Sequence, residues 1–189
     1  MPPEESFTLT DEEIASRVQR GDVQAFGALI ARYEQKLARY GRRFLAEKED
    51  REDVMQEVFI KAYVNIKDFD PTRRFSPWIY RIAHNEFVNA LKKKGRATTI
   101  PLEPDELLPH PAAPERSDRE AHLKEMRAAL DGALGTLDPK YREPLILYYF
   151  EEMDYREIAD VLRSPVSTVG VRLQRGKAML AKIVGKDIL

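Results

Sequence analysis

Residues 97–122 contain five prolines (Pro101, Pro104, Pro109, Pro111 and Pro114) and six acidic side chains, with few large apolar residues between them. Such a stretch cannot bury enough surface to offset the entropy of ordering it, and it predicts an extended or disordered linker. A chain of 189 residues can hold one large domain or two small ones. The linker selects two, over residues 1–96 and 123–189.

Both flanks read as helices. Thr10-Asp11-Glu12-Glu13 is a capping box that starts a short helix ending near Gly21. Asp22 caps the next helix, whose apolar residues (Phe26, Leu29, Ile30, Tyr33, Leu37, Tyr40, Phe44) keep helical spacing for about six turns. A third helix follows the charged break at 46–51, with Val54, Val58, Phe59, Ala62, Tyr63 and Ile66 inward. A fourth opens at Ser76-Pro77, an N-cap followed by the helical position where proline is welcome. Ile79, Ile82, Ala83, Phe87, Ala90 and Leu91 form its inward stripe, while Arg81, His84, Asn85, Val88, Asn89 and Lys92 lie on the other surface. No segment alternates with period two, so the expected class is all-α.

After the linker, helices resume near Leu123, with Met126, Ala129, Leu130, Ala133 and Leu134 as a stripe. A further helix opens at Asp138-Pro139 and carries Pro144, which removes a backbone hydrogen bond and predicts a kink. Asp154-Tyr155-Arg156-Glu157 is a capping-box variant that begins a short helix. Arg163-Ser164 makes a tight turn, and Pro165 opens a longer basic helix with Val169, Leu173, Leu180 and Ile183 inward. Helix, short turn and longer basic helix form the helix-turn-helix pattern, whose second helix enters the major groove.

Charge is distributed in blocks. Residues 73–96 carry seven Lys/Arg against one acidic side chain, and 163–189 carry six against one, although the whole chain has a formal net charge of −1. Two basic blocks in acidic surroundings suit a polyanion touched at two separated places. In the first block Phe69, Arg73, Arg74, Phe75, Trp78 and Tyr80 interleave rings with cations. Unpaired bases stack on such rings while the cations track phosphates.

Cysteine is absent, which removes disulfides and thiol chemistry and fits a reducing cytoplasm. No apolar run approaches the ~20 residues of a membrane span, and the acidic N-terminus lacks a signal peptide's apolar core. The expectation is a cytoplasmic protein without membrane insertion. The three histidines lie apart and no catalytic motif is present, so no catalytic residue, metal or cofactor is expected. A freestanding helix-turn-helix regulator is the alternative. It would leave the aromatic–basic stretch unexplained and would need a dimer interface that the sequence does not offer.

In order, the chain reads DREDVMQEVFIKAY, FSPWIYRIAHNEFVNALKKKGR, the acidic linker, LDPKYREPLILYYFEEMDYREIADVL and SPVSTVGVRLQRGKAML. This resembles a sigma-70-type sigma factor of the extracytoplasmic-function group, which has only the second and fourth sigma regions. The resemblance implies that the helix over 51–63 docks on the clamp helices of the largest subunit of core RNA polymerase through Asp53, Gln56, Glu57 and Phe59. It implies that Phe69, Asp70 and Arg73 line a pocket for one extruded base of the −10 element. Trp78, Tyr80, Arg81, Asn85 and Asn89 would then melt and grip the opened strand, and Lys92, Lys93, Lys94 and Arg96 would hold phosphates. Ser167, Thr168, Arg172, Gln174, Arg175 and Lys177 would read the −35 element of promoter DNA as duplex.

Further implied partners are the polymerase flap and an anti-sigma factor. The free protein is expected to be a monomer, with a role in a stress or envelope response. The linker's acidity would mimic nucleic acid inside the polymerase. The chain departs from the family pattern at Gly170 and Val171, where most members place Lys or Arg and then Ser. Glycine there costs the helix roughly 1 kcal/mol and offers no contact, so weaker −35 readout is expected.

Overall fold

The computed structural model describes residues 9–95 and 132–184, and every regular element among them is helical. The linker over 97–122, Arg96 and the positions Leu123, Met126, Ala129 and Leu130 lie outside the described residues.

The first module contains α1 (Asp11–Gln19), α2 (Phe26–Gly41), α3 (Lys48–Val64) and α4 (Phe75–Lys93). The capping box at α1 forms as expected, with Thr10 accepting from the Glu13 N–H and Glu13 returning to the Thr10 N–H. Asp22 accepts from the Ala25 N–H, but it caps a 3-10 turn (Val23–Ala25) that leads into α2. The inward stripe of α2 is buried as far as Tyr40, except that Ile30 is half-buried. The helix then stops at Gly41, and Phe44 reaches the core from the turn that follows. A shorter helix than the periodicity suggests results, because a turn can also deliver a side chain inward.

α4 begins one residue before the expected cap. Phe75 is its first residue, and Arg74 offers no side-chain cap. Glu12 of α1 supplies it instead, accepting from the Phe75 N–H at 2.8 Å. A cap drawn from 63 residues away satisfies the same orphan donor as a local one. Gln19, near the other end of α1, donates to the carbonyls of Ile66 and Phe69 at 2.7 Å each. Together α1's two ends pin the loop that precedes α4.

Rings dominate this core. Tyr33 meets Phe75 edge-on at 5.4 Å, Tyr40 meets Tyr80 at 5.3 Å, and Phe44 stacks on Phe87 at 5.6 Å, all within the range of favourable aromatic pairs. α3 packs along α4 through Met55, Val58 and Ala62, whereas Tyr63 stays exposed.

The second module contains α5 (Pro139–Tyr149), α6 (Tyr155–Leu162) and α7 (Val166–Val184), preceded by helical residues 132–136 that bury Ala133 and Leu134. α5 continues through Pro144 to Tyr149. The Asp154 capping box forms as expected. Arg163 takes the left-handed conformation (φ 48°) that reverses the chain into α7. α7 packs on α5 at Gly176, where a Cβ would approach Leu145 Cδ1 to 2.9 Å and the Tyr141 carbonyl oxygen to 3.2 Å. Val169, Leu173 and Leu180 are buried as expected, but Ile183 is half exposed. No helix among the described residues is long and apolar enough to cross a membrane.

The two modules touch, with α4 of the first packed against α6 of the second.

Candidate nucleic-acid interface

α7 presents one polar face. Ser167, Val171, Gln174 and Arg175 are exposed, and Thr168 is half-buried. Arg172 is half-buried and donates to Ser164 Oγ at 3.3 Å, which ties the helix to the turn before it. Lys177 lies 5.0 Å from the Tyr148 ring centre and 5.1 Å from that of Tyr149. A hydrogen bond with Tyr149 holds its ammonium above its ordinary pKa. Lys177 is therefore anchored by its neighbours. Gly170 occupies the flank of α7 that faces Tyr155, whose ring would lie 3.6 Å from an added Cβ. A glycine at this position removes a side chain from the α6–α7 contact. The two departures thus differ in placement, and it is Val171 that stands on the outward face.

In the first module, Asp70 accepts from the Thr72 N–H at 3.0 Å and from the Thr72 hydroxyl at 2.8 Å. Those two bonds lower its pKa and turn the loop over 69–74. Arg73 remains 77% exposed. Trp78 is half-buried, with Phe69 at 5.3 Å and Phe75 at 5.4 Å. Arg81, Asn89, Lys92 and Lys93 are exposed, while Asn85 is half-buried. Lys94 pairs with Asp50. On α3, Asp53, Gln56 and Glu57 are exposed, and Phe59 is half-buried against the core.

Two residues expected to touch nucleotides are interior. Phe69 is 4% and Tyr80 0% exposed. The buried arc of α4 takes in both Ile79 and Tyr80, because a core-facing stripe spans 100° or more, and Tyr80 closes against Tyr40. Both rings support the surface from behind.

His84, expected on the outer surface, lies instead in the seam between the modules. Its Nδ1 is 2.9 Å from the Tyr40 hydroxyl and 3.7 Å from the Glu143 carboxylate of α5. Burial, with the nearby Arg163 cation, lowers its pKa to about 4. Burial raises Glu143 to about 7. Beside them, Arg43 is 4% and Arg142 2% exposed, and burial lowers Arg43 to about 10. The Glu151 carboxylate neighbours the Tyr80 hydroxyl, without a hydrogen bond of good geometry. Arg74 completes the seam, donating through Nη1 to the Glu152 carbonyl at 3.0 Å and to Glu157 Oε2 at 3.0 Å. No local pattern links the two sides of this seam, where Arg74 and Glu157 are 83 residues apart in the chain.

A helix-turn-helix module beside a basic helical module is the architecture of a DNA-binding protein. The sigma-70 region 2 family matches residues 29–97, and the sigma-70 region 4 family matches 127–180. The chain is 32% identical to the ECF RNA polymerase sigma factor SigW of Bacillus subtilis (strain 168) over 180 residues, covering 88% of this chain and 92% of that one. It is 33% identical to the ECF RNA polymerase sigma-E factor of Escherichia coli (strain K12) over 178 residues, covering 91% and 93%. Among solved structures it resembles CnrH in complex with the cytosolic domain of CnrY, with a TM-score of 0.64, 29% identity and coverage of 94% and 98%. The chain belongs to the extracytoplasmic-function group of the sigma-70 family. Sigma factors are DNA-recognition proteins rather than enzymes.

Proposed function

We propose that this sigma factor brings core RNA polymerase to promoters by reading two elements in different states. α7 reads the −35 element as duplex through Ser167, Thr168, Arg172, Gln174 and Arg175, since arginine pairs bidentately with guanine edges and glutamine with adenine. The loop over 69–74 and the outer face of α4 take the −10 element as a single strand. Asp70 and Arg73 border the base, Trp78 offers a ring edge, and Arg81, Asn85 and Asn89 grip the strand. Lys92 and Lys93 neutralise phosphates, contributing affinity and salt dependence without sequence choice.

Asp53, Gln56, Glu57 and Phe59 dock on the polymerase, where complementary charge sets orientation and encounter rate. The observation that carries this reading is the pairing, in one chain, of an exposed helix-turn-helix face with a separate face of exposed cations (Arg73, Arg81, Lys92 and Lys93) around the half-buried Trp78. The RNA polymerase in the names of both relatives supports the partner assignment. A cytoplasmic site of action, a stress or envelope response and control by an anti-sigma factor extend the reading. The last is supported by a similarly folded sigma factor solved with the anti-sigma factor NepR of Bartonella quintana, 21% identical with a TM-score of 0.62.

Run-off transcription with core polymerase tests the proposal. Specific transcripts whose starts lie downstream of two shared sequence elements are expected. DNA binding without polymerase-dependent initiation would mark a plain regulator instead.

A further inference from the structure

Arg74 belongs to the loop that precedes α4, next to Arg73, yet its guanidinium is turned away from the loop and held by Glu152 and Glu157 of the second module. The Arg74 side chain is 50% and that of Glu157 19% exposed. Glu157 already serves as the capping-box acid of α6, bonded to the Asp154 N–H at 2.8 Å, so its carboxylate is presented in a fixed position. In the same seam α6 packs on α4, and His84, Asn85 and Val88 of α4's outward arc are half-buried.

The seam's chemistry favours reversible closure. It is lined by Arg43, Arg142, His84, Glu143 and Glu151, and the Nε atoms of Arg43 and Arg142 are buried with no hydrogen-bond partner. Charged groups buried with incomplete partnering lose little, or gain, when water returns to them. Polar contacts between domains of one chain behave like transient interfaces.

We propose that Arg74 is a phosphate contact of the single-strand surface, and that Glu157 occupies it in the free protein as an internal stand-in for that phosphate. The two modules thereby latch across α4. This rests on the reading of the loop and α4 as the single-strand surface. Opening exchanges one anion for another on the same guanidinium, so nucleic acid and the closed form compete. The apparent affinity of the free chain for single strands is reduced by the fraction that is closed.

The test uses the full-length chain. Because it has no cysteine, cysteines introduced at the exposed Gln35 and Lys182 positions carry a spin-label pair that reports the distance between modules. Binding of a fluorescein-labelled single-stranded adenine–thymine decamer is measured in parallel. Glu157→Gln keeps the capping box, since glutamine serves at that position, but removes the charge. It should lengthen the mean inter-label distance and tighten decamer binding about two- to fivefold, the range open to a partly exposed ion pair. Arg74→Ala should lengthen the distance equally but bind the decamer more weakly than Glu157→Gln.

Unchanged distances in Glu157→Gln would overturn the latch. Decamer binding by Arg74→Ala as tight as that of Glu157→Gln, or no detectable binding by either variant, would overturn the phosphate role. Promoter-specific transcription by the unmodified chain is scored separately. Its failure alongside the expected distance and decamer results would remove the proposed promoter function and leave the latch standing.

Discussion

Gly41 ends α2 directly beneath the ring of Phe87, whose Cζ would lie 2.2 Å from a Cβ built on the glycine. Phe87 is fully buried and stacked on Phe44, so the ring has no room to retreat. Gly41→Ala should destabilise the first module by about 1–3 kcal/mol, the usual effect of forcing a methyl group into a packed core. Urea unfolding followed by far-UV circular dichroism measures it; a change within about 0.5 kcal/mol, the level of a neutral surface substitution, would contradict the packing.

The Glu12 cap on α4 makes a second prediction. Glu12→Ala should lower stability by about 1 kcal/mol, as loss of a helix cap does. Amide exchange at the start of α4 should rise selectively, because Phe75 would lose the acceptor of its N–H.

The seam between the modules titrates with two opposite signs. His84, faced by Tyr40, Glu143 and Arg163, has its pKa lowered from 6.5 to about 4. Its neutral form is the one the fold prefers, so it withdraws stability as pH falls from 6.5 toward 4. Glu143, near Arg142, Arg43, Arg172 and Asp138, is raised from 4.5 to about 7. It withdraws stability as pH rises from 4.5 toward 7. The two nearly cancel between 4.5 and 6.5, where the unmodified chain should show a flat profile. His84→Gln should leave a stability that declines with rising pH across 4.5–7, and Glu143→Gln one that increases across 4–6.5. Thermal melts at half-unit pH intervals would decide it, and parallel profiles in all three proteins would refute the assignment.

Trp78 and Tyr80, two residues apart, should separate functionally. Trp78→Ala or Asn85→Ala should leave polymerase binding intact and impair permanganate reactivity of promoter thymines. Tyr80→Phe should leave opening unchanged and stability within about 1 kcal/mol of the parent, because its buried hydroxyl makes no well-formed hydrogen bond. Impaired opening in Tyr80→Phe would place its hydroxyl at the nucleic acid after all.

On α3, Asp53→Arg combined with Gln56→Ala should weaken capture of core polymerase by roughly tenfold or more, since reversing one charge in a complementary interface penalises both encounter and contact. Pull-down at two salt concentrations checks it, and unchanged affinity would refute the docking face.

Local chemistry was legible along the chain wherever partners are near in sequence. The boxes at Thr10 and Asp154 depend on groups three residues apart, so reading them requires no knowledge of the fold. The inward stripes of α2, α4 and α7 follow from helical period, and both basic blocks follow from counting charges. That is enough to reach an all-helical protein with two basic blocks suited to a polyanion, and the resemblance of its ordered motifs adds the sigma family. Tertiary structure decided matters that turn on distant partners. It drew Tyr80 and Phe69 into the core, chose Glu12 as the cap of α4, and turned Gly170 toward Tyr155. It also set His84 against Glu143 and Arg74 against Glu157, across 59 and 83 residues of chain. A helix's period says which residues share a face, but two helices compete for each face, and only packing selects which of them covers it.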